Sequence, residues 1–327
     1  ERFPTTGKIN EGIIMKTQTK STFFGKLKRD AQKNKMLYLL ILPVIVYFVL
    51  FSYLPMAGIA LAFQNYQLGN GFFESEFVGL AHFIRFFQDP YFLRTIRNTL
   101  IYGLWGLIFS FPAPIIFALL LNSVKNKFFK RSIQTCAYMP YFISLVVVCG
   151  LIKSFCDPYG FIGSWFGKMG WIGEDMSVLG DKRYFRAIII ISDIWQGLGF
   201  GSIIYVASLS SIDPSLYEAA DLDGAGRCAK LFNITLPSIL PTIMMMLTLR
   251  MGMILSIGYD KIVVLYSGET WEVGETIGSY VYRLGFTSNS PEYSYTTAIG
   301  LFNSVATLIL LVISNKLNKK VTSYGLI

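Results

Sequence analysis

The sequence predicts an all-α, polytopic integral membrane protein, and three observations carry that prediction. Of 327 residues, 53% are hydrophobic and 16% aromatic, while only 15% are charged, against about 25% charge in an ordinary soluble domain. Mean hydropathy is +0.49. The apolar residues fall in long runs, six of which reach the roughly 20 helical residues needed to cross a hydrocarbon core. Disorder, a disulfide scaffold and an ordinary cytosolic enzyme all fit this pattern poorly.

In chain order the expected spans are Met36–Phe63, Thr99–Asn122, Ser132–Ile152, Arg186–Leu209, Ile239–Tyr259 and Tyr293–Asn315. Four of them contain no charge; the fourth encloses Asp193 and the fifth Arg250. The first apolar run is too long for a signal peptide and has no small-residue cleavage site after it. Met15 follows a nondescript polar stretch and reads as an alternative start, which makes residues 1–14 dispensable. Between spans, the aromatic and glycine cluster from Tyr159 to Trp171 suits interfacial helix, because Trp and Tyr favour the headgroup level.

Basic residues set the expected orientation. Seven lie between Lys16 and Lys35 against the single acid Asp30; Lys125, Lys127, Lys130 and Arg131 lie between spans two and three; Lys316, Lys319 and Lys320 follow span six. The positive-inside rule puts these three segments in the cytoplasm. The layout is then a basic cytoplasmic segment 1–35, a transmembrane domain 36–315 and a cytoplasmic tail 316–327. The +9 net charge is therefore topological and implies no nucleic-acid partner. The connection Ser210–Ser238 is cytoplasmic by counting, yet holds Arg227 and Lys230 against Asp213, Glu218, Asp221 and Asp223. A loop that disobeys the charge rule is shaped by something other than topology.

Metal and nucleophile chemistry find little here. Cys136, Cys149, Cys156 and Cys228 have no ligand spacing, and the one histidine, His82, lies in a phenylalanine-rich stretch that reads as structural. There is no G-x-x-x-x-G-K-[ST] phosphate loop. An integral-membrane enzyme is disfavoured accordingly.

The connection that disobeys the charge rule reads SIDPSLYEAADLDGAGRCAKLFNITLPSILP. Asp213 can cap, Pro214 suits the first helical position, Leu216 to Leu222 favours helix, and Gly224 stops it. Helix resumes from Ala225 to Phe232, and Pro237 and Pro241 mark re-entry into the membrane. The result is a knob presenting Leu216, Tyr217, Ala219 and Ala220 beside acids; an ordinary amphipathic connector is the competing reading.

Glu218-Ala219-Ala220, three residues, Gly224, nine residues, Ile234, one residue, then Leu236-Pro237 resembles the EAA loop of permease subunits of bacterial type I ABC importers. Asp223-Gly224-Ala225 and Phe232 match the fuller form found in carbohydrate permeases. The stretches LILPVIVYFVLFSYLPMAGIALAF, VGLAHFIRFF, NTLIYG, FPAPIIFALLLN and FKRSIQT are similar to the branch typified by LplB and by polysaccharide and oligosaccharide importers, an alginate importer among them. The resemblance implies an oligosaccharide importer with a second homologous permease, two ATPase subunits that hold ATP and Mg, and an external solute-binding protein. It makes Tyr217, Glu218, Ala219, Ala220, Asp223, Gly224, Ala225 and Phe232 the surface that couples to the ATPase, and implies no cofactor on this chain.

Intramembrane polar groups are the remaining candidates. Asp193 and Arg250 each cost about 2.5–3.5 kcal/mol at a helix centre on insertion scales, so each needs a partner or a cavity. Counting inward from Arg186 and outward from Arg250 to Tyr259 puts them at similar depth, which suits a helix-fixing pair; a place in the translocation path is the alternative. Trp195, Gln196, Tyr259 and Asn303 are further candidates for the path, since sugars stack on aromatic rings and hydrogen-bond through hydroxyls; packing or interfacial anchoring is the competing reading of each. The glycines of Gly197–Ser202 favour close helix packing. An ion-coupled secondary transporter with Asp193 as the ion or proton site is the competing class, although the sequence lacks evident internal repeats.

Overall fold

A computed structural model describes residues 30–322, apart from 31, 68, 70, 174 and 257. Most of the basic segment 1–35, the Met15 start and the end of the tail 316–327 lie outside the described residues. Among those described, six helices are long and apolar enough to span a membrane. The segment ending at Ala57 and the segment from Gly58 onward form separate compact units, taken in turn.

The first unit is built on α1 (Lys35–Phe48) and the π turn Val49–Tyr53 that follows it. The helix is apolar on every face and its side chains are largely exposed, the pattern of a segment meant for an apolar surrounding rather than water. Pro43 sits within it without ending it, as membrane helices tolerate.

In the second unit, a short β1–β2 ladder (Gln64–Asn65 with Glu76–Phe77, antiparallel) and the amphipathic α2 (Ala81–Gln88) lead into the second span. His82 Nε2 lies 3.0 Å from the Gln64 carbonyl, a satisfied structural histidine. The second span, Phe92–Ser123, comprises α3 (Phe92–Trp105), a π turn at Gly106–Ser110 and α4 (Pro112–Ser123).

The third span departs from expectation. Residues Ser132–Ile152 are not one helix: α5 (Lys127–Tyr138) ends in a 3₁₀ turn at Met139–Phe142, and Ser144 caps a new helix, α6 (Leu145–Cys156). Pro140 lacks an N–H and disfavours helix in the residue before it, and the Ser144 hydroxyl accepts from Val147 N–H, fixing the restart. With α7 (Phe161–Lys168) the apolar stretch long enough to span is Leu145–Lys168.

The fourth span is α8 (Lys182–Ser210), 29 residues and so roughly 43 Å long. Glycines set its packing on α5, where a Cβ on Gly199 would lie 2.1 Å from the Ala137 carbonyl oxygen. Three buried clusters hold the bundle. Ile115, Ala118, Tyr205, Leu209 and Ile239 join α4, α8 and the fifth span; Phe185, Ile189, Ile262 and Leu265 are the centre of a second; Phe86, Tyr280, Tyr295 and Ile299 form the third.

The fifth span also moves. It was expected over Ile239–Tyr259 but runs over Arg227–Met251: α10 (Arg227–Lys230), the π turn Leu231–Thr235 and α11 (Leu236–Met251) are continuous. Pro237 follows directly on the π turn and Pro241 lies further along, both absorbed within the continuous run as membrane helices tolerate. The helix stops at Gly252, and Gly258 turns the chain in the left-handed region (φ +74°) to start α12 (Tyr259–Leu265). Short α13 (Trp271–Gly274) and α14 (Ile277–Tyr282) precede the last span, α15 (Tyr293–Thr322).

The segment between α12 and α15 is pinned by polar groups. Glu275, with no exposed surface, pairs with Arg94 and with Arg283 at 2.7 Å. The Asn98 amide donates to the Glu272 and Glu275 carbonyls at 2.9 and 3.0 Å, and Arg186 donates to Asn98 Oδ1 at 2.7 Å. Nearby, the Tyr280 and Tyr295 hydroxyls donate to Asp89 Oδ2 at 2.6 and 2.7 Å. Burial pushes the Asp89 carboxyl up, but these two hydrogen bonds, a third from Tyr91 N–H and the nearby charge of Arg85 together hold the group below its ordinary value.

Candidate functional site

The knob forms as its local chemistry dictates. Helix α9 (Pro214–Leu222) starts at Asp213, whose carboxylate accepts from Ser215 N–H at 2.9 Å, with Pro214 in the first turn. That backbone hydrogen bond holds the Asp213 carboxyl below its ordinary value. The stop is a Schellman arrangement. Ala225 N–H donates to the Ala220 carbonyl at 2.9 Å, Gly224 N–H to Asp221 at 3.1 Å, and Gly224 has φ +72°. Only glycine adopts that φ at no steric cost, and nothing lies within 4 Å of where its Cβ would be, so the conformation and not crowding selects it.

Glu218, Ala219, Asp223, Gly224 and Phe232 are exposed, while Tyr217, Ala220 and Ala225 are half-buried. Leu222 is 90% exposed and Phe232 64%, a costly display of apolar surface for a loop without a partner. Tyr217 turns inward: its hydroxyl lies 2.9 Å from Thr235 Oγ1 at the base of the fifth span. Lys230 pairs with Asp221. These two ties clip α9 to α10–α11. Thr235 and Lys230 went unnoticed as tie residues because each meets its partner only across the Gly224 turn.

The second feature is a cavity of about 660 Å³ among α4, α8 and α11. Of the residues expected along the path, Asp193, Gln196 and Arg250 line it; Trp195, Tyr259 and Asn303 do not. Trp195 lines a separate apolar hollow with Phe155 and Trp165. Tyr259 packs its ring over Gly278, where an added Cβ would meet it at 3.1 Å. Asn303 belongs to α15, its Oδ1 buried without a partner. Sequence reasoning missed Tyr141, which lines the cavity and stacks on Phe200 with ring centres 3.9 Å apart.

Asp193 and Arg250 do not pair. The Asp193 carboxylate is 2.6 Å from Lys261 Nζ, which also donates to Ser192 Oγ at 3.2 Å; Lys261 is 4% exposed. Depth counting assumed that helix continued from Arg250 to Tyr259. Instead the helix ends at Met251, and the Gly258 turn starts α12 beside α8, bringing Lys261 to Asp193, which lies eleven residues, roughly 17 Å, along α8 from Lys182. Free Cys149 and Cys156 are buried among apolar side chains, and among the described residues no cluster suits a metal.

A long-helical bundle, a capped and clipped knob that exposes apolar residues, and a cavity lined by Asp193 and Arg250 fit a membrane transport subunit. Comparison with known proteins agrees. Protein LplB of Bacillus subtilis (strain 168) is 39% identical over 98% of this chain and 99% of its own length. The polygalacturonan/rhamnogalacturonan transport system permease protein YteP of the same organism is 39% identical over 97% of this chain and 96% of its own. A crystal structure of a bacterial alginate ABC transporter, in complex with an alginate pentasaccharide-bound periplasmic protein, superposes with TM-score 0.83 at 38% identity, covering 92% of this chain and 100% of that one. Residues 110–323 match the model of the binding-protein-dependent transport system inner membrane component, and the chain belongs to that family of membrane permeases.

Proposed function

We propose that this chain is one permease half of an ATP-binding-cassette importer that takes up an oligosaccharide, working with a second homologous permease, two ATPase subunits and an external solute-binding protein. The observation that carries the reading is the knob: Glu218, Leu222 and Phe232 are displayed while Tyr217 and Asp221 tie the same helix to the fifth span. ATP and Mg reside on the ATPase subunits, and the permease does no chemistry of its own. Closure of those subunits moves α9, and the ties pass the motion to α11 and the cavity. The relatives supply the saccharide class. An ion-coupled mechanism through Asp193 has less support, because that carboxylate already has Lys261 as its counter-ion.

Gly224→Val and Glu218→Lys test coupling. A β-branched residue at φ +72° is strained, and a lysine reverses charge on the exposed face. Both variants are expected to reach the membrane, to lose most co-purification with the ATPase subunits, and to lose substrate-stimulated ATP hydrolysis in liposomes. Normal co-purification and hydrolysis in both would remove the knob as the coupling element.

In this reading both termini face the cytoplasm. In a variant lacking the exposed Cys136 and Cys228, cysteines placed at Phe73 and Glu272, both exposed and outside the spans, should react with an impermeant thiol reagent applied outside, and one at Lys127 should not. Labelling at Lys127 from outside would reverse the orientation.

A further inference from the structure

The cavity carries an imbalance of charge. Its only ionisable carboxylate, Asp193, is held at 2.6 Å by Lys261. Its only guanidinium, Arg250, has no carboxylate within 4.0 Å among the described residues, and its Nε is buried without a hydrogen-bond partner. Asp193, Lys261 and Arg250 therefore sum to one uncompensated positive charge beside α8, at the end of α11. An unpaired cation in a membrane span is expensive and is by default a functional group. Its position favours retention of the charge, because Arg250 is the penultimate residue of α11, where the helix dipole stabilises a cation.

The neighbours of Arg250 fit a sugar ring. Tyr141 lines the same cavity, 47% exposed, with its ring backed flat against Phe200 (4° between planes), a rigid platform for the apolar face of a pyranose. Gln196 also lines the cavity, its amide donating to the Ile143 carbonyl at 3.2 Å, which fixes its orientation. A planar guanidinium with five donors recognises a carboxylate in a two-point contact that no neutral hydroxyl reproduces.

Resting on the oligosaccharide reading above, we infer that Arg250 is a vacant carboxylate seat on the translocation path, selecting saccharides that carry uronic-acid groups, and that Lys261 keeps the seat vacant by holding Asp193 away from it. Gly258 is part of the arrangement. Its left-handed turn brings α12 onto α8, so close that a Cβ there would sit 3.7 Å from Asp193 Oδ2. Lys261 is thus a positioning residue, and Arg250 is the group that meets the substrate.

The test uses the assembled importer in liposomes with its ATPase subunits and binding protein. The probes are oligomers of galacturonate, mannuronate and guluronate, each beside the same oligomer with its carboxylates reduced to hydroxymethyl groups. Stimulated ATP hydrolysis is read as the acid-to-neutral ratio; the binding protein is common to every arm, so a change in ratio between variants reports the permease. At least one acidic oligomer is expected to outperform its neutral twin tenfold or more. Arg250→Gln should cut that ratio about tenfold with less than a twofold change for the neutral twin, and Arg250→Lys should keep part of it. Lys261→Gln, which frees Asp193 for Arg250, should lose the ratio as well, and the double variant Asp193→Asn/Lys261→Gln should regain it. Equal losses for acidic and neutral probes in Arg250→Gln, or an unchanged ratio, would overturn the seat. A ratio intact in Lys261→Gln, or not regained in the double variant, would overturn the role of Lys261. Stimulation by neutral twins alone would sink the acidic selectivity while leaving the oligosaccharide importer standing; stimulation by no saccharide in an intact complex would remove both.

Discussion

Glu275→Ala is expected to be among the most damaging single substitutions in this chain. The carboxylate is wholly buried and serves two guanidiniums at once, Arg94 from α3 and Arg283 from the turn after α14. Removing it strands two cations that are themselves mostly covered, each 23% exposed, and breaking a buried pair in this way costs roughly 3–5 kcal/mol. The loss should appear as a large fall in the thermal midpoint of the detergent-solubilised protein. Glu272→Ala supplies the contrast. Its partner Lys182 lies 2.6 Å away, but both side chains are more than half exposed, and an exposed pair contributes about 0–1 kcal/mol. Equal shifts in the two variants would mean that burial of Glu275 has no energetic consequence.

Gly199→Val should be comparably severe for a different reason. The missing side chain at Gly199 lets α8 press on the backbone of α5, with only 2.1 Å from an ideal Cβ to the Ala137 oxygen and 2.4 Å to its carbon. Backbone cannot swing aside as a side chain can, so the two helices must separate. Overpacking typically costs 1–3 kcal/mol, and a clash with backbone belongs at or above the upper end. Folded yield after solubilisation is the measurement. Gly150→Ala, where nothing lies within 4 Å of the added Cβ, should match the parent; a Gly199→Val yield equal to that control would contradict the close approach of α5 and α8.

How much of this was legible beforehand depends on the range of the interaction. Spans one, two, four and six were placed to within a few residues at most ends, because a run of apolar residues is a local property and the bilayer sets its length. The knob was legible in more detail still. A carboxylate two residues before a helical N–H, a proline in the first turn and a glycine at the stop each act over no more than five residues. The packing role of Gly199 was legible as a tendency of glycine in a membrane helix, although the neighbour it admits was not.

The sequence by itself determined the class of molecule, the number of spans and the local form of the loop that disobeys the charge rule, since composition, periodicity and capping need no knowledge of distant residues. Tertiary structure alone decided that the fifth span ends at Met251 and which charges meet. A lysine such as Lys261, beside Asp260 in a polar connection, is ordinarily solvated. Only the fold-back at Gly258 supplies Asp193 and Ser192 as partners and makes its burial affordable. Glu275 likewise lies in a polar connection, and the two arginines that allow it to be buried come from separate elements. A charge's burial depends on the counter-charge that the fold delivers to it, and that delivery is a property of three-dimensional packing rather than of any window of sequence.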